Sequence, residues 1–308
     1  MMGTFATSAD ASSCPLSVVI GTTQPWPEAQ AALDSVYDQA EVVRAEVLLA
    51  IKREDGRPPL ATYPNLKIVE GFGETIFELR MRAIAKSSGE IVSVTEDHCR
   101  VAPDWCQRVI DAHEQFPEAD VIGGAVANGA CDAVGWAGFL ISNGAFLPPL
   151  ETREQSIVTA QANVSFKRRA LWGWGAGGLD DGHYRAELRK CGGHLFIDGR
   201  VQVSHVQWLA PLAMCVCQFH GGRSIASRQR AHLSRWQWLR RLIKVSLLPV
   251  RIIVNTPRLS VRAGLRDSVY LKPAVGCQLW LLVVHAFYYL GELTGHLFGP
   301  GSSPYRLR

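Results

Sequence analysis

The stretch SVTEDHCRVAPDW, residues 93–105, sets two carboxylates and an imidazole directly behind an apolar run. Glu96 and His98 are separated by one residue, so in a tight turn after a strand both can face one ion. A divalent cation serving a nucleotide diphosphate needs carboxylate or imidazole donors that leave coordination positions open. Mn2+ accepts such a mixed oxygen and nitrogen set better than Mg2+ does. The same residues also fit plainer duties, with Asp97 capping the next turn and His98 solvated. Asp180 and Asp181 form a second acidic pair, at the head of LDDGHYRAELRKCGG. Acids in a first helical turn favour the macrodipole, so this pair has a purely structural use as well.

The elements around these residues follow from hydrophobic spacing. LSVVIGTT (16–23) is a β-branched run that stops at Gly, Thr and then Pro, the pattern of a buried strand entering a loop. PEAQAALDSVYDQA places Ala32, Val36 and Ala40 on one helical face behind Pro27. RAEVLLAIKRED and NLKIVEG are two more strands. TIFELRMRAIAKSSG is a helix with Ile76, Leu79, Ala83 and Ile84 aligned and Gly89 as its stop, and EIVSVTED is the fourth strand. This order predicts an α/β layered domain with a mostly parallel sheet. Ligands of such sheets bind beyond the carboxyl ends of the strands, where Thr22 and Thr23 follow the first strand and Glu96-Asp97-His98 the fourth. Farther on, PDWCQRVIDAHEQF reads as an amphipathic helix, ADVIGGAVA as a strand, and LFIDGRVQVSH as a strand pair ending in His205.

Charge divides the chain unevenly. Residues 1–218 carry 18 Lys and Arg against 26 Asp and Glu, whereas residues 219–272 carry 12 basic residues and one acid. The basic stretch WQWLRRLIKVSLLPVRIIV mixes tryptophan, arginine and aliphatics, and residues 274–298 hold a single formal charge, Glu292. The apolar heart of that last segment is about 17 residues, the lower limit for crossing a bilayer. Aromatic and basic flanks suit an interfacial anchor, and the arginines before it point to anionic lipid rather than nucleic acid. A buried hairpin of core helices is the alternative. The eight cysteines show no CxxC pair, no secretory signal precedes them, and the expectation is reduced thiols inside a cell. Cys215 and Cys217 are too closely spaced to favour zinc.

Three stretches in order, PLSVVIGTT, ELRMRAIAKSSGEIVSVTEDH and LDDGHYRAELRKCGG, resemble the inverting glycosyltransferases of family 2, which have the GT-A fold. Counting back from Gly89-Glu90, Arg80 matches the arginine of the family's Arg-Asn-x-Gly-Ile helix and Ile84 its isoleucine, while Met81 and Ala83 depart from it. Counting forward, Glu96 and His98 match the two aspartates of the family's Asp-x-Asp metal motif. A subset of the family is similar in reading Glu-Asp-His before Pro and Trp. Asp181 precedes Gly192 by the family's interval, which implies the general base that takes the acceptor hydroxyl proton, with Asp180 beside it.

The resemblance implies further site residues. His205 corresponds to a histidine that often completes the GT-A metal site. QANVSFKRR is similar to the segment near acceptor and sugar, making Asn163 a candidate sugar contact. CQFHGGRSIASR lacks the Gln-x-x-Arg-Trp of processive members, which implies transfer of a single sugar, with Arg223 left to neutralise the departing diphosphate. Lys52 and Arg53 stand where the family carries an acid that contacts the base, so Glu54 or Asp55 is the expected substitute.

The chain is thus expected to have a disordered leader (1–14), a Rossmann-like GT-A domain (15–225) with helices on both faces of its sheet, and basic amphipathic and hydrophobic membrane-associated helices (226–308). The implied activity is a non-processive, metal-dependent sugar transfer from a nucleotide-diphosphate sugar to a lipid-linked or glycan acceptor. It would take place at the cytoplasmic face of the cytoplasmic membrane, in cell-envelope polysaccharide synthesis. The expected partners are donor, acceptor and an anionic membrane surface, without nucleic acid. The alternative is a catalytically degenerate GT-A domain that binds sugar or a partner at the membrane.

Overall fold

A computed structural model of the chain describes residues 14–154, 160–173, 188 and 190–307. Its centre is the strand Leu16–Gly21 (β1), every residue of which is buried, as expected for a strand covered on both faces. Around it lie Glu46–Lys52 (β2), Lys67–Gly71 (β3), Ile91–Glu96 (β4), Cys99–Val101 (β5), Ala119–Asn128 (β6), Arg153–Glu154 (β7), Val164–Lys167 (β8) and His194–His205 (β9). They form one sheet in the order β3-β2-β1-β4-β8-β6-β9-β5, with β7 on β9. The first four strands are mutually parallel, β8 runs antiparallel between β4 and β6, and β6 and β9 are again parallel. The architecture is therefore α/β with a mixed, mostly parallel sheet.

Strand alternation sorts the core into two layers. Val18, Ile20, Leu49 and Ile51 belong to one cluster, with Leu33 and Val36 of the helix Gln30–Val42 (α1) and Val109 of Trp105–Gln115 (α3). Val19, Leu48, Ala50, Val92 and Val94 belong to the other, under Leu79 and Ala83 of Ile76–Lys86 (α2). Thr75 and Glu78 close a capping box at the start of α2, which fixes where Arg80 emerges.

LFIDGRVQVSH forms one strand rather than the expected pair. The pairing of β6 with β9 slips between Gly124/Asp198 and Ala125/Gln202, so residues 199–201 bulge out while the strand continues.

Further helices cover Ala133–Ser142 (α4), Pro211–Ala231 (α5), Arg235–Ser246 (α6), Leu248–Arg266 (α7), Leu271–Gly276 (α8) and Gln278–Phe298 (α9). Leu281 and Val284 of α9 and Ala263 of α7 lie in the same cluster as β1, so the helical part shares the sheet's core. The expected boundary between residues 225 and 226 falls inside α5. Helices α5 and α9 approach backbone to backbone. A Cβ on Gly291 would lie 2.0 Å from the Phe219 carbonyl oxygen, and one on Gly222 would lie 2.2 Å from that of Tyr288. Among the described residues no single helix is long and apolar enough to cross a membrane. Ser268–Gly276 and Gln278–Phe298 reach that length and composition only together, across a 72° bend. Glu292 is buried and ion-paired with Arg241 at 3.2 Å and Arg251 at 2.8 Å.

Candidate metal centre and cleft

The strand order turns back at β1 and β4, the point where open α/β sheets bind ligands beyond their carboxyl ends. Gly21, the last residue of β1, stands in register with Glu96, the last of β4. Beyond that edge Glu96, His98 and His205 converge, although His205 is 107 residues from His98. The reason lies in β5, which pairs antiparallel with β9 and puts Cys99 opposite His205, while the Val206 N–H donates to the His98 carbonyl at 2.8 Å. No sequence periodicity marks so short a strand, and β5 was not expected.

The donor atoms lie close together. His98 Nε2 is 2.9 Å from His205 Nε2 and 3.3 Å from Glu96 Oε2, and His205 Nε2 is 3.8 Å from the same oxygen. Ligand atoms bound at about 2.1 Å on one face of an ion sit roughly 3 Å apart, so this spacing fits a divalent cation held from one side. Among the described residues this is the only such group of three histidine, cysteine or carboxylate side chains.

Two of the three ligands, His98 and Glu96, are oriented by a neighbour, as metal ligands ordinarily are. Asp97 Oδ1 takes a 2.6 Å bond from His98 Nδ1. Its other oxygen accepts from Thr22 Oγ1 at 2.9 Å and from the Thr23 and Gln24 amides at 2.7 and 3.1 Å. Thr22 and Thr23 thus do their work by gripping Asp97, and Thr23 also lines the cleft. Arg80 is buried beneath Gly21 and donates from Nη2 to Glu96 Oε1 at 3.1 Å. A Cβ on Gly21 would meet Arg80 Nε at 2.5 Å, so the strand end must be bare for the guanidinium to pass.

Burial opposes a charge on His98, but the Asp97 and Glu96 carboxylates overcome it and hold the imidazolium up to about 10. Burial and the His98 charge push His205 down to about 3. Burial would raise the Glu96 and Asp97 carboxyls, yet His98 above all, with Arg80 helping at Glu96, draws both below the usual carboxylate range. A divalent cation among these donors would take the place of the His98 Nε2 proton, because that nitrogen ligates only when deprotonated. The five groups (Arg80, Glu96, Asp97, His98, His205) sum to zero charge with that proton in place, and exchanging it for a divalent ion leaves them at plus one. The charge balance at the centre would therefore be positive with a divalent ion in place.

The triad opens on a cleft of about 470 Å³, within the range of small-ligand sites. Its floor is Gly21, Thr23, Arg80 and the triad, and Phe77 and Gln161 flank them. The opposite wall is helical, with Ser142 and Asn143 at the end of α4, Gln218, Ser224 and Arg228 of α5, and Tyr288 of α9. Sequence reasoning missed this wall for two reasons. AVGWAGFLIS is apolar all round and has no helical stripe, and the Gly221-Gly222 pair of α5 resembles a loop. A polar run on one face of α5, Gln218 to Arg228, was the available signal.

Three expected donor contacts lie elsewhere. Asn163 is buried as a tie inside the sheet, where its Oδ1 accepts from Trp105 Nε1 at 3.0 Å and its Nδ2 donates to the Ala125 and Val201 carbonyls. Arg223 turns away from the cleft and donates from Nε to the Gly299 carbonyl at 2.9 Å. Glu54 is exposed on the short turn after β2 and does not line the cleft. Its neighbour Asp55 is half-buried on the same turn and does not line the cleft either. Burial raises the Asp55 pKa, Lys52 opposes this, and Glu54 and Asp97 add to it. Asp180 and Asp181 lie outside the described residues. The chain matches no family model, and no curated protein sequence matches it.

Proposed function

We propose that the chain is a metal-assisted, inverting glycosyltransferase of the GT-A type. It moves one sugar from a nucleotide-diphosphate sugar to a hydroxyl of a lipid-linked or glycan acceptor at the cytoplasmic face of the membrane. The observation that carries this reading is the Glu96, His98 and His205 triad opening on a cleft at the β1/β4 switch point. The mixed α/β sheet is compatible with it, and the motif order in the sequence resembles that of family 2.

Glu96, His98 and His205 would hold the cation, which when bound offsets diphosphate charge as the leaving group departs. The remaining work falls to the chain's own groups. Asp97 fixes the His98 ring so that Nε2 points into the cluster. Arg80 holds Glu96 in place. Arg228, on the facing wall with its guanidinium carbon 4.7 Å over the Phe77 ring, replaces Arg223 as the fixed positive charge for the diphosphate. Asp181 takes the acceptor proton as the new bond to the anomeric carbon forms and the bond to diphosphate breaks.

The test is a screen of nucleotide-diphosphate sugars for Mn2+-dependent hydrolysis by wild type, Glu96→Ala and Asp181→Asn. The reading expects one donor to be cleaved, with both variants at least about a hundredfold slower, the usual size of an acid–base contribution. Indifference to every donor, or an Asp181→Asn variant as fast as wild type, refutes it.

One observation favours a second reading. Two imidazoles and one carboxylate on a single face are also the donor set of non-haem Fe(II) centres. Anaerobic loading with Fe2+, removal of unbound iron and oxygen-uptake measurement against an equally treated His98→Ala control separates the two, because only the iron reading predicts uptake above that control.

A further inference from the structure

Helices α6 and α7 turn several polar side chains inward, beside the buried Val245 and Ala263, and expose large apolar ones. Arg241 and Arg251 pair with the buried Glu292 of α9, and Asn255 Nδ2 donates to Tyr289 Oη at 2.7 Å. Thr256 Oγ1 meets His285 Nδ1 at 3.1 Å, and Ser260 Oγ donates to the Ala274 carbonyl at 2.8 Å. Large apolar side chains face outward at intervals of three or four residues: Trp236, Leu239, Ile243, Leu247, Val250 and Ile253, and then Val261 and Leu265. Ile253 is 67% exposed and Leu265 81%. Exposed contiguous apolar surface of this kind marks an interaction site.

Charge identifies the occupant. Arg235, Arg240, Lys244, Arg258 and Arg262 are exposed along the same two helices, and residues 235–266 contain no acid. The Arg240 guanidinium lies 5.0 Å over the Trp236 ring, so one side chain offers an apolar body and a cation together. A second copy meeting this face would set basic flank against basic flank, which opposes self-association. An anionic bilayer surface complements both properties. Neither helix can span it, since α6 has 12 residues and α7 holds Pro257 with arginines on both sides.

We infer that α6 and α7 lie in the plane of an anionic membrane, apolar stripe in the acyl boundary and basic residues among the headgroups. This places the attachment on residues 235–266, with α9 packed behind the two helices through Glu292, Tyr289 and His285. The inference does not depend on the reaction at the metal centre, so either can fail alone.

The test is co-sedimentation of the full chain with phosphatidylcholine vesicles, with and without about 30% phosphatidylglycerol, at low and high salt. Wild type binds the anionic vesicles at least tenfold more tightly, and salt weakens that binding. Ile243→Glu with Ile253→Glu loses at least tenfold, while Arg240→Gln, Arg258→Gln and Arg262→Gln each cost about fivefold. Circular dichroism melting of each variant verifies the fold, which these exposed positions leave intact. Wild type that ignores anionic vesicles, or variants that bind as wild type does, overturns the inference. A dimer in sedimentation velocity that the glutamate pair dissociates assigns the face to a second copy and overturns it equally.

Discussion

Replacing Asp97 with Asn changes one atom and should disable the metal centre through a tautomer. In the native chain Asp97 only accepts, with one oxygen turned to Thr22, Thr23 and Gln24 and the other to His98 Nδ1. The Thr23 and Gln24 donors are backbone amides, so the Asn oxygen must turn toward them and its NH2 must face His98. That NH2 donates to Nδ1 and drives the ring proton onto Nε2, the atom aimed at Glu96 and His205. Both proteins give up the Nε2 proton on binding metal, but in the variant the ring must then carry its proton on Nδ1, against the Asn NH2. Loss of such an orienting partner ordinarily costs 10- to 100-fold in metal affinity, about 1.4 to 2.7 kcal/mol. Isothermal titration of Mn2+ into wild type and Asp97→Asn measures this directly, and an urea melt of the metal-free proteins controls for folding. Equal Mn2+ affinity in the two proteins would refute the argument that Asp97 sets the His98 tautomer.

Three further outcomes follow from other parts of the molecule. Gly21→Ala puts a Cβ into Arg80 and should cost about 1–3 kcal/mol, the usual range for overpacking, read as a shift in urea midpoint. Asn163→Ala strands the Trp105 N–H and two strand carbonyls and should cost about 3 kcal/mol in the same assay, more than any exposed substitution. His113 is buried with Nε2 on Ser165 Oγ at 2.9 Å, and burial, then the Lys167 charge, pushes it down to about 3. The unfolded chain therefore binds this proton below about pH 6.5 while the folded one does not. Stability is complete above that pH and falls toward pH 3 by about 1.4 kcal/mol per unit at most. The difference in unfolding free energy between wild type and His113→Leu should carry that slope; a pH-independent difference would contradict it.

What was legible in the sequence were the parts whose causes are local. The alternating and continuous apolar runs of β1 to β4, the spacing in α1 to α3, and the Glu96-x-His98 pair behind β4 need only neighbours a few residues away. His205 is joined to the pair only through the resemblance; spacing alone cannot do it, because its place depends on the three-residue strand β5 and on register with β9. Asn163 shows the limit from the other side. Its residue type suits a sugar contact, but burial between β6 and β9 commits its side-chain amide to the Ala125 and Val201 carbonyls and to Trp105 of α3. The composition of 274–298 does not reveal its partners: in place Gln278–Phe298 buries Glu292 against Arg241 and Arg251 while Leu279 and Phe298 stay exposed. The inward polar and outward apolar side chains of α6 and α7 become visible only once the inward face is known.

The central claim is that Glu96, His98 and His205 form a cation site that recruits a nucleotide-diphosphate sugar. Calorimetric titration of a donor panel into the full chain, with and without Mn2+, tests it most directly. The account predicts at least one donor that binds in the presence of Mn2+, is more than about tenfold weaker without it, and gains nothing from Mn2+ in His98→Ala. No donor binding, or binding equally strong without Mn2+ and in His98→Ala, would contradict it.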